Sequence, residues 1–352
     1  MKKAVLMIAL MLGSVAAFAQ KPDKNEMKQM KEFLSQPAEK EGTNAQVLKI
    51  SNLNDPSTWE GVTVANGHIT EINWKDKALA GDLNLSNFAA LTKVDVSRNK
   101  LANLDLSGAA ALTDLNASRN VLKTLELDGC TQLTTVQINK NRLTDLTINE
   151  AKFLQNMNCS NNYFESLNFS DLTNLKTLNV QGNHLENLLI TGCTSLKNLY
   201  CGYNKLTTIN LIGVESLTNL NADNNEISSL IVSGLPSLSS FICSDNRMTT
   251  LGVRNCNALL DLVCSYNDLT TLDVSGCPQL LFVDCSYNDL VNLSLTNQTF
   301  LQRLLCNNNQ LNILDVSFDT NLTYINCRYN VLTDIRTIGC DNLHMIACQW
   351  NY

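Results

Sequence analysis

Residues 259–279 read LLDLVCSYNDLTTLDVSGCPQ, and residues 280–300 repeat the arrangement as LLFVDCSYNDLVNLSLTNQTF. Each stretch begins with Leu, carries Cys at its sixth position and Asn at its ninth. The same 21-residue frame extends both ways, because the Asn recurs thirteen times from Asn99 to Asn351 and the leading Leu thirteen times from Leu91 to Leu343. A fixed period of this length predicts a solenoid, in which each coil stacks only on its neighbours.

The coil positions, numbered from the leading Leu as position 1, divide into inward and outward sets. Positions 1, 4, 6, 11, 14 and 16 are apolar almost throughout, so we expect them to face the core. Positions 3 to 7 are predicted to form a strand whose residues 3, 5 and 7 face outward. Positions 10–17 are too short and too β-branched for a helix, which predicts an extended or 3₁₀ segment. At about 4.8 Å between parallel strands, thirteen coils predict a stack about 60 Å long.

The first half of the pattern, L-x-x-φ-x-C/V/A-x-x-N-x-L with φ apolar, resembles the leucine-rich repeat over residues 91–352. The resemblance implies a leucine-rich-repeat solenoid of twelve full coils and a partial thirteenth. A parallel β-sheet would form its concave face, and the extended or 3₁₀ segments would form its convex face.

The first 19 residues have the composition of a secretion signal. Lys2 and Lys3 precede an apolar run over residues 4–12, and Ala17-Phe18-Ala19 matches an A-x-A cleavage site. The apolar run is shorter than the roughly 20 residues that span a bilayer. We therefore predict a signal peptide over residues 1–19, with an uncleaved membrane anchor as the alternative. The expected location is extracellular or at the cell surface, with the periplasm also open.

Residues 20–90 lack the strict period and are predicted to cap the first coil. Apolar residues at helical spacing predict one short helix over residues 23–36, and Asn66-Gly67 between two β-rich runs predicts a hairpin. The region resembles the N-terminal cap of plant-type and related bacterial leucine-rich-repeat proteins. That resemblance implies a disulfide, but residues 1–129 contain no Cys, so Trp59 and Trp74 are expected to close the first coil by packing.

The recurrent Asn and Cys residues are interpreted as structural. Asn at position 9 offers both a donor and an acceptor at the turn after the strand, and is expected to bridge to a neighbouring coil. All thirteen Cys fall at position 6 or position 19, and Val, Ala or Ile stands at position 6 in the other coils. We predict reduced, buried thiols, and leave open local disulfides between Cys pairs eight residues apart, such as Cys193 and Cys201.

The sequence contains no recognisable catalytic motif and no sign of nucleic-acid binding. The formal net charge is −7, and the three histidines, His68, His184 and His344, stand far apart. Phosphate loops, zinc motifs and calcium repeats are absent from the sequence. We therefore expect no enzyme, no cofactor and no metal, and no transmembrane segment after the signal.

The outward positions change character along the chain and suggest where a partner binds. Early coils carry polar residues at positions 3 and 5, whereas later coils carry apolar and aromatic ones, and tyrosines recur at position 8. Clustered apolar and aromatic side chains on one sheet mark interaction surfaces. The alternative is a structural tyrosine ladder with aliphatic residues selected for β-propensity. The predicted binding residues are Tyr200, Ile242, Val263, Phe282, Leu305, Tyr324, Tyr266, Tyr287 and Trp350.

The expected function is recognition of a protein on a host or neighbouring cell. The chain resembles secreted bacterial leucine-rich-repeat proteins, including internalin-like adhesins, and that resemblance implies a binding module of the concave face. Glycan binding is the alternative, since aromatics beside Asn and Asp also suit sugars. Two further expectations concern the last coil, where either Trp350 and Tyr352 cover its apolar end or two molecules dock end to end as a homodimer.

Overall fold

The computed structural model describes residues 21–295 and 298–351 and shows a β-solenoid of about thirteen coils. Each coil contributes one strand to a parallel sheet that forms the concave face, and an N-terminal antiparallel hairpin starts this sheet. The concave sheet contains, in spatial order, β1 (Val62–Ala65), β2 (His68–Asn73), β4 (Lys93–Asp95), β6 (Asp114–Asn116), β8 (Thr135–Gln137), β9 (Asn156–Asn158), β11 (Thr177–Asn179), β13 (Asn198–Tyr200), β14 (Asn219–Asn221), β16 (Ser240–Ile242), β18 (Asp261–Val263), β20 (Phe282–Asp284), β22 (Arg303–Leu305), β24 (Tyr324–Asn326) and β26 (Met345–Ala347).

The convex side is extended, and it carries short second strands rather than 3₁₀ turns. These strands pair in small separate sheets, so hydrogen bonding on this side is interrupted along the stack. The groups are β3 (Ala80–Asn84) with β5 (Lys100–Asp105) and β7 (Thr124–Glu126); β10 (Ser166–Asn168) with β12 (Asn187–Leu189); β15 (Ser229–Ile231) with β17 (Thr250–Gly252); β19 (Thr271–Asp273) with β21 (Asn292–Ser294); and β23 (Ile313–Asp315) with β25 (Asp334–Arg336). The leucine-rich-repeat solenoid predicted from the period is confirmed.

The Asn column at position 9 joins each coil to the one before it. Asn120 Nδ2 donates to the carbonyl of Ala117 in its own coil and to that of Val96 in the preceding coil, at 3.1 and 3.0 Å. Its Oδ1 accepts the N–H of Leu101, also in the preceding coil, at 3.0 Å. The same pattern continues to Asn351. The predicted bridge is confirmed, and its direction is toward the preceding coil.

The predicted strand over positions 3 to 7 is too long. Each strand from β4 onward on the concave sheet covers only positions 3 to 5. The backbone leaves the strand because position 8 is left-handed in all thirteen coils, with φ between 51° and 65°. Only Gly182 among these residues is a glycine, so twelve side chains sit in a conformation that costs a non-glycine residue roughly 1–2 kcal/mol.

A second column of hydrogen bonds runs through position 19 on the convex side. The thiols of Cys130, Cys193, Cys256, Cys277 and Cys340 each donate to the position-16 carbonyl of the preceding coil, 24 residues earlier. Gln298 Nε2 makes the equivalent bond to the carbonyl of Val274 at 2.9 Å. Position 19 is therefore a site for a buried donor as well as for an apolar side chain.

None of the thirteen cysteines forms a disulfide, so the alternative of local bridges such as Cys193–Cys201 is not realised. Twelve are buried, and burial raises the pKa of the Cys130 thiol to about 11. Cys348 is exposed, because it stands in the last described coil with no further coil against it. The prediction of buried thiols is therefore correct for all except Cys348.

The N-terminal elements cap the first coil. Helix α1 (Lys24–Ser35) is capped by Asp23 and buries Met30, Phe33 and Leu34. It is followed by a short helix α2 (Asn44–Val47) and a 3₁₀ turn over Pro56–Thr58. Trp59 and Trp74 are both buried, and the Trp74 ring stacks on that of Phe33 with centroids 6.0 Å apart.

The sheet runs from this region into the repeats without a break, so a division at residue 90 stays a prediction. The predicted signal peptide, residues 1–19, lies outside the described residues. Within the ranges that the structure describes, no helix is long and apolar enough to cross a membrane.

Candidate functional site

The predicted site residues fall on two neighbouring surfaces. The first, named here the late concave face, consists of outward side chains at positions 3 and 5 of strands β13 to β24. Its members are Tyr200, Ile242, Val263, Phe282, Leu305 and Tyr324. The second, named the aromatic edge, consists of position-8 side chains just past those strands. Its members are Tyr266, Tyr287, Tyr329 and Trp350.

Position 5 has a structural task in most coils that sequence reasoning missed. The side chain of Asp95 accepts the N–H of Ser97 at 3.0 Å and its hydroxyl at 2.6 Å, which closes the turn after the strand. Asn116, Asn158, Asn179, Asn221, Asp284 and Asn326 accept the position-7 N–H in the same way. Asn and Asp two residues before a turn N–H are well suited to this bond, and that local pattern was available in the sequence.

Four coils of the late concave face lack this hydrogen bond from the position-5 side chain to the turn. Ile242, Val263 and Leu305 have no side-chain acceptor, and the side chain of Tyr200 carries its hydroxyl at the far end of a rigid ring. The substitution forgoes a hydrogen bond of roughly 1 kcal/mol in each coil. The four side chains instead lie half-buried on the concave sheet, each shielded in part by its neighbours along the column. Turn stability therefore does not explain the residues chosen here.

An arginine lies between two aromatic rings at position 3 of the same face. Phe282, Arg303 and Tyr324 are direct partners in the register of β20, β22 and β24. The Arg303 guanidinium carbon lies 5.5 Å from the centroid of the Phe282 ring and 5.7 Å from that of Tyr324. Both distances are within the range of cation–π attraction. Both rings are among the predicted binding residues, whereas the arginine between them was not predicted.

The aromatic edge is organised as two stacked pairs. The rings of Tyr266 and Tyr287 stack with centroids 4.2 Å apart and planes 8° from parallel. Tyr329 and Trp350 stack at 5.8 Å and 7°, and Asn308 occupies the coil between the two pairs. In the first pair, a hydrogen bond with the Tyr287 hydroxyl raises the pKa of Tyr266. The predicted alternative of a tyrosine ladder is therefore partly realised, in interrupted form.

These stacked rings are exposed and held on a strained backbone. Tyr266, Tyr287 and Tyr329 are 43 to 50% exposed, and Trp350 is 70% exposed. Bulky residues are rare in the left-handed conformation that Asn, Asp and Gly tolerate at the same position in other coils. Arg98, Arg119 and Lys140 adopt the same conformation in the early coils, so the left-handed backbone belongs to the repeat and does not single out these rings.

Among the described residues, Trp350 does not cover the last coil. Strand β26 pairs only with β24, and Met345 and Ile346 on it are 52% and 38% exposed. The prediction that Trp350 folds over this end is wrong, because Trp350 continues the position-8 column and stacks on Tyr329. Tyr352 lies outside the described residues.

The described part of the chain holds no cluster of three or more metal-ligating side chains. Its three histidines are apart, with His68 on the buried carboxylate of Glu26 and His184 stacked on Tyr163. One cavity, of about 620 Å³, lies beside α1, and another of about 590 Å³ lies on the convex side at Asp319. The late concave face is thus an open surface of the sheet, away from both cavities.

Solved structures with similar folds include bacterial leucine-rich-repeat proteins. The functional domain of InlJ from Listeria monocytogenes, described as including a cysteine ladder, is 28% identical over 73% of this chain and 55% of that one, with a TM-score of 0.55. The chain has the leucine-rich-repeat fold. Its structural neighbours are internalin-like, although it spans only about half the length of the InlJ domain.

Two further structures agree on the fold. An internalin from Listeria monocytogenes, InlF, is 18% identical over 94% of this chain and 98% of that one, with a TM-score of 0.61. YopM from Yersinia pestis is 24% identical over 77% of this chain and 78% of that one, with a TM-score of 0.55. No protein-family model matches the sequence, and a search of curated proteins gives no significant match.

Proposed function

We propose that this leucine-rich-repeat protein is an exported recognition module that binds a protein partner through the late concave face and the aromatic edge. The neighbours support an interaction module in general terms, since they are leucine-rich-repeat interaction proteins rather than enzymes. Export and a role in adhesion or surface recognition are part of the proposal. They rest on the signal-like residues 1–19 and on the internalin-like resemblance.

The observation that carries the proposal is the exchange at position 5. Where seven other coils keep an Asn or Asp that closes the turn, Ile242, Val263 and Leu305 place aliphatic side chains on the concave sheet. Together with the rings of Phe282 and Tyr324, they form an apolar group of the composition found at the centre of protein interfaces, with charged side chains between its members. Each exchange costs turn stability, so a benefit outside the chain is the simplest account of it.

Glycan binding is the second candidate, and the stacked aromatic pairs are the observation that favours it. Sugars pack on exposed ring faces, which Tyr329 and Trp350 offer on their outer sides. The geometry of Tyr266 and Tyr287 is less favourable, because a ring separation of 4.2 Å covers the inner face of both rings. We therefore place the protein partner first.

The test compares two variants that carry matched changes on opposite faces. The triple variant Val263→Asp/Phe282→Asp/Leu305→Asp charges the late concave face. The control Ile212→Asp/Ile231→Asp/Ile338→Asp charges three convex residues that are 69 to 72% exposed. Purified full-length protein and both variants are first checked for equal circular dichroism and thermal unfolding. They are then probed against an array of cell-surface ectodomains and against a glycan array.

The expected result is that protein ligands of the parent and the convex control are lost by the concave variant alone. Loss by the convex control alone, or equal binding by all three proteins, would exclude the late concave face. Binding confined to glycans, abolished by Tyr329→Ala and Trp350→Ala and unaffected by the concave variant, would establish the second candidate instead. End-to-end docking through β26 remains a separate proposal, which a monomeric sedimentation profile at high concentration would refute.

A further inference from the structure

Arg303 is the one cation at positions 3 and 5 of β13 to β24, where the carboxylates of Asp261 and Asp284 also stand, and its setting is unusual. Phe282, Arg303 and Tyr324 project from the same position of three adjacent parallel strands, whose backbones are about 4.8 Å apart. The guanidinium therefore fits between the rings, with its carbon 5.5 Å and 5.7 Å from their centroids. A ring on each side restricts the rotamers of an otherwise flexible side chain and leaves the N–H groups at its edge directed away from both faces.

The charge of Arg303 is not neutralised within the described residues. Two other arginines are paired with carboxylates: Arg247 with Glu226 at 3.3 Å, and Arg336 with Asp334 at 2.8 Å. The ion pairs between described residues do not include Arg303. The neighbouring carboxylate of Asp284 instead accepts the N–H and the hydroxyl of Ser286, at 3.0 and 2.6 Å. Arg303 is therefore a pre-oriented cation on a protein whose formal net charge is −7.

We propose that Arg303 binds the carboxylate of an acidic side chain on the protein partner, which places an Asp or Glu beside an apolar residue at the centre of the interface. This inference rests on the proposed function and specifies the chemistry of the partner. The planar guanidinium matches a carboxylate through two parallel hydrogen bonds. The rings lie on either side of the guanidinium and leave its edge free for such a ligand.

The surroundings favour an acidic peptide over other anions. A phosphate group is usually held by a cluster of cations, whereas Arg303 is a single charge flanked by rings. Leu305 lies on the same strand and the same face, two residues from Arg303, and Val263 stands at the equivalent position two strands away. An apolar residue next to the acidic one in the partner would pack on these aliphatic side chains. A sugar has no aliphatic side chain that could make this contact.

The experiment selects ligands without assuming their identity. A displayed library of random dodecapeptides is panned against purified full-length protein, and clones that bind the Val263→Asp/Phe282→Asp/Leu305→Asp variant equally well are discarded. The remaining peptides are synthesised with each acidic residue intact or replaced by its amide. Their affinities are measured for the parent, for Arg303→Gln, for Arg303→Lys, and for Arg247→Gln as a control at another exposed arginine. Thermal unfolding of each variant provides the check on folding.

The selected peptides should be enriched in Asp or Glu beside an apolar residue. Changing that acid to its amide should weaken binding to the parent and to Arg247→Gln about tenfold or more, and should have little further effect on Arg303→Gln. Arg303→Lys keeps the charge but loses the planar fork, so its affinity should be intermediate. This coupling between the two groups is the signature of direct contact.

Three results would overturn the inference. The first is a set of face-dependent peptides without acidic enrichment, which would leave the proposed function standing. The second is an equal effect of the amide change on the parent and on Arg303→Gln. The third is Arg303-dependent binding of sialylated or uronic-acid glycans without any such peptide. If every clone also binds the triple variant, then the proposed function itself fails.

Discussion

Replacing the buried carboxylate of Asp319 by the amide of Asn should stabilise the protein at neutral pH. Asp319 occupies position 19, where five cysteines and Gln298 donate to the carbonyl 24 residues earlier. An ionised carboxylate cannot donate to Leu295, the equivalent carbonyl. The residue is only 3% exposed, and its Oδ2 has no hydrogen-bond partner in the described structure. An Asn side chain has the missing donor in nearly the same shape.

The size of the expected stabilisation follows from the burial of the Asp319 carboxyl group. Burial, with a smaller contribution from the charge of Asp315, raises the pKa of Asp319 from 3.8 to about 7. The folded state thus binds this proton more tightly than the unfolded state, so ionisation opposes folding as the pH rises from about 4 to 7. A shift of three units corresponds to an upper bound of about 4 kcal/mol at pH 8. The cost of leaving one buried polar atom without a hydrogen bond gives a lower estimate of the destabilisation, roughly 1–3 kcal/mol.

Urea unfolding of the parent and of Asp319→Asn at pH 5 and pH 8 tests this reasoning. We expect the variant to be more stable by about 1–4 kcal/mol at pH 8, with the advantage reduced by more than half at pH 5. The control Asp273→Asn removes an exposed carboxylate whose pKa is lowered by the hydroxyl and N–H of Ser275, so it should be neutral or slightly destabilising. A destabilised Asp319→Asn at pH 8, or an advantage independent of pH, would refute the assignment of Asp319 as a missing donor.

Four further predictions concern other parts of the molecule. Asn225→Leu removes bonds to two successive coils and should lower the free energy of unfolding by roughly 2–4 kcal/mol in urea titration; a loss below about 1 kcal/mol would contradict the bridging role. Ellman's reagent should titrate one thiol, Cys348, in the native protein and thirteen after denaturation, and rapid reaction of several native thiols would contradict their burial. The hydrogen bond with Glu26 raises the pKa of His68, so the stability it adds is complete below the unfolded pKa and is lost as pH rises through the folded value. Hydrogen exchange in α1 should therefore accelerate between pH 6 and 8 beyond its intrinsic rate, and His68→Gln should abolish that excess. Acrylamide should quench one of three tryptophans efficiently, and Trp350→Phe should remove that component, since the other two are buried.

The fold could be predicted from the sequence because a strict period fixes the environment of every position. The helix expected over residues 23–36 is observed as Lys24–Ser35, and the Asn66-Gly67 turn has both residues left-handed, as its hairpin requires. The strand was predicted two residues too long, because polar and apolar residues still alternate in the sequence through position 7. The expectation that position 7 faces outward is wrong in six coils, where the side chain is buried: Ser97, Ser160, Ser244, Ser265, Ser286 and Asn307. Only the backbone at position 8 shows where the strand ends, and Tyr266 or Arg98 there gives no sequence signal of a left-handed residue.

The candidate site was only partly accessible to the same reasoning. Composition singled out the apolar and aromatic residues, but it treated the polar position-5 residues as plain surface, whereas Asp95 and its equivalents close turns. Arg303 was passed over because one charged residue in a column suggests a solvated side chain. Strict register was already enough to place it between Phe282 and Tyr324, so the arrangement could have been found by comparing one position across three consecutive coils.

The direction of the Asn column has a consequence for how the chain is made. Each Asn reaches back to the backbone of the coil before it, so a finished coil offers only main-chain groups and the next coil brings the connecting side chain. A ribosome releases the N-terminal end first, which means that every newly emerged segment carries its own attachment to a template that is already folded. Growth from the capped end is therefore vectorial, and a chain emerging in this order meets its native partner before any competing coil exists.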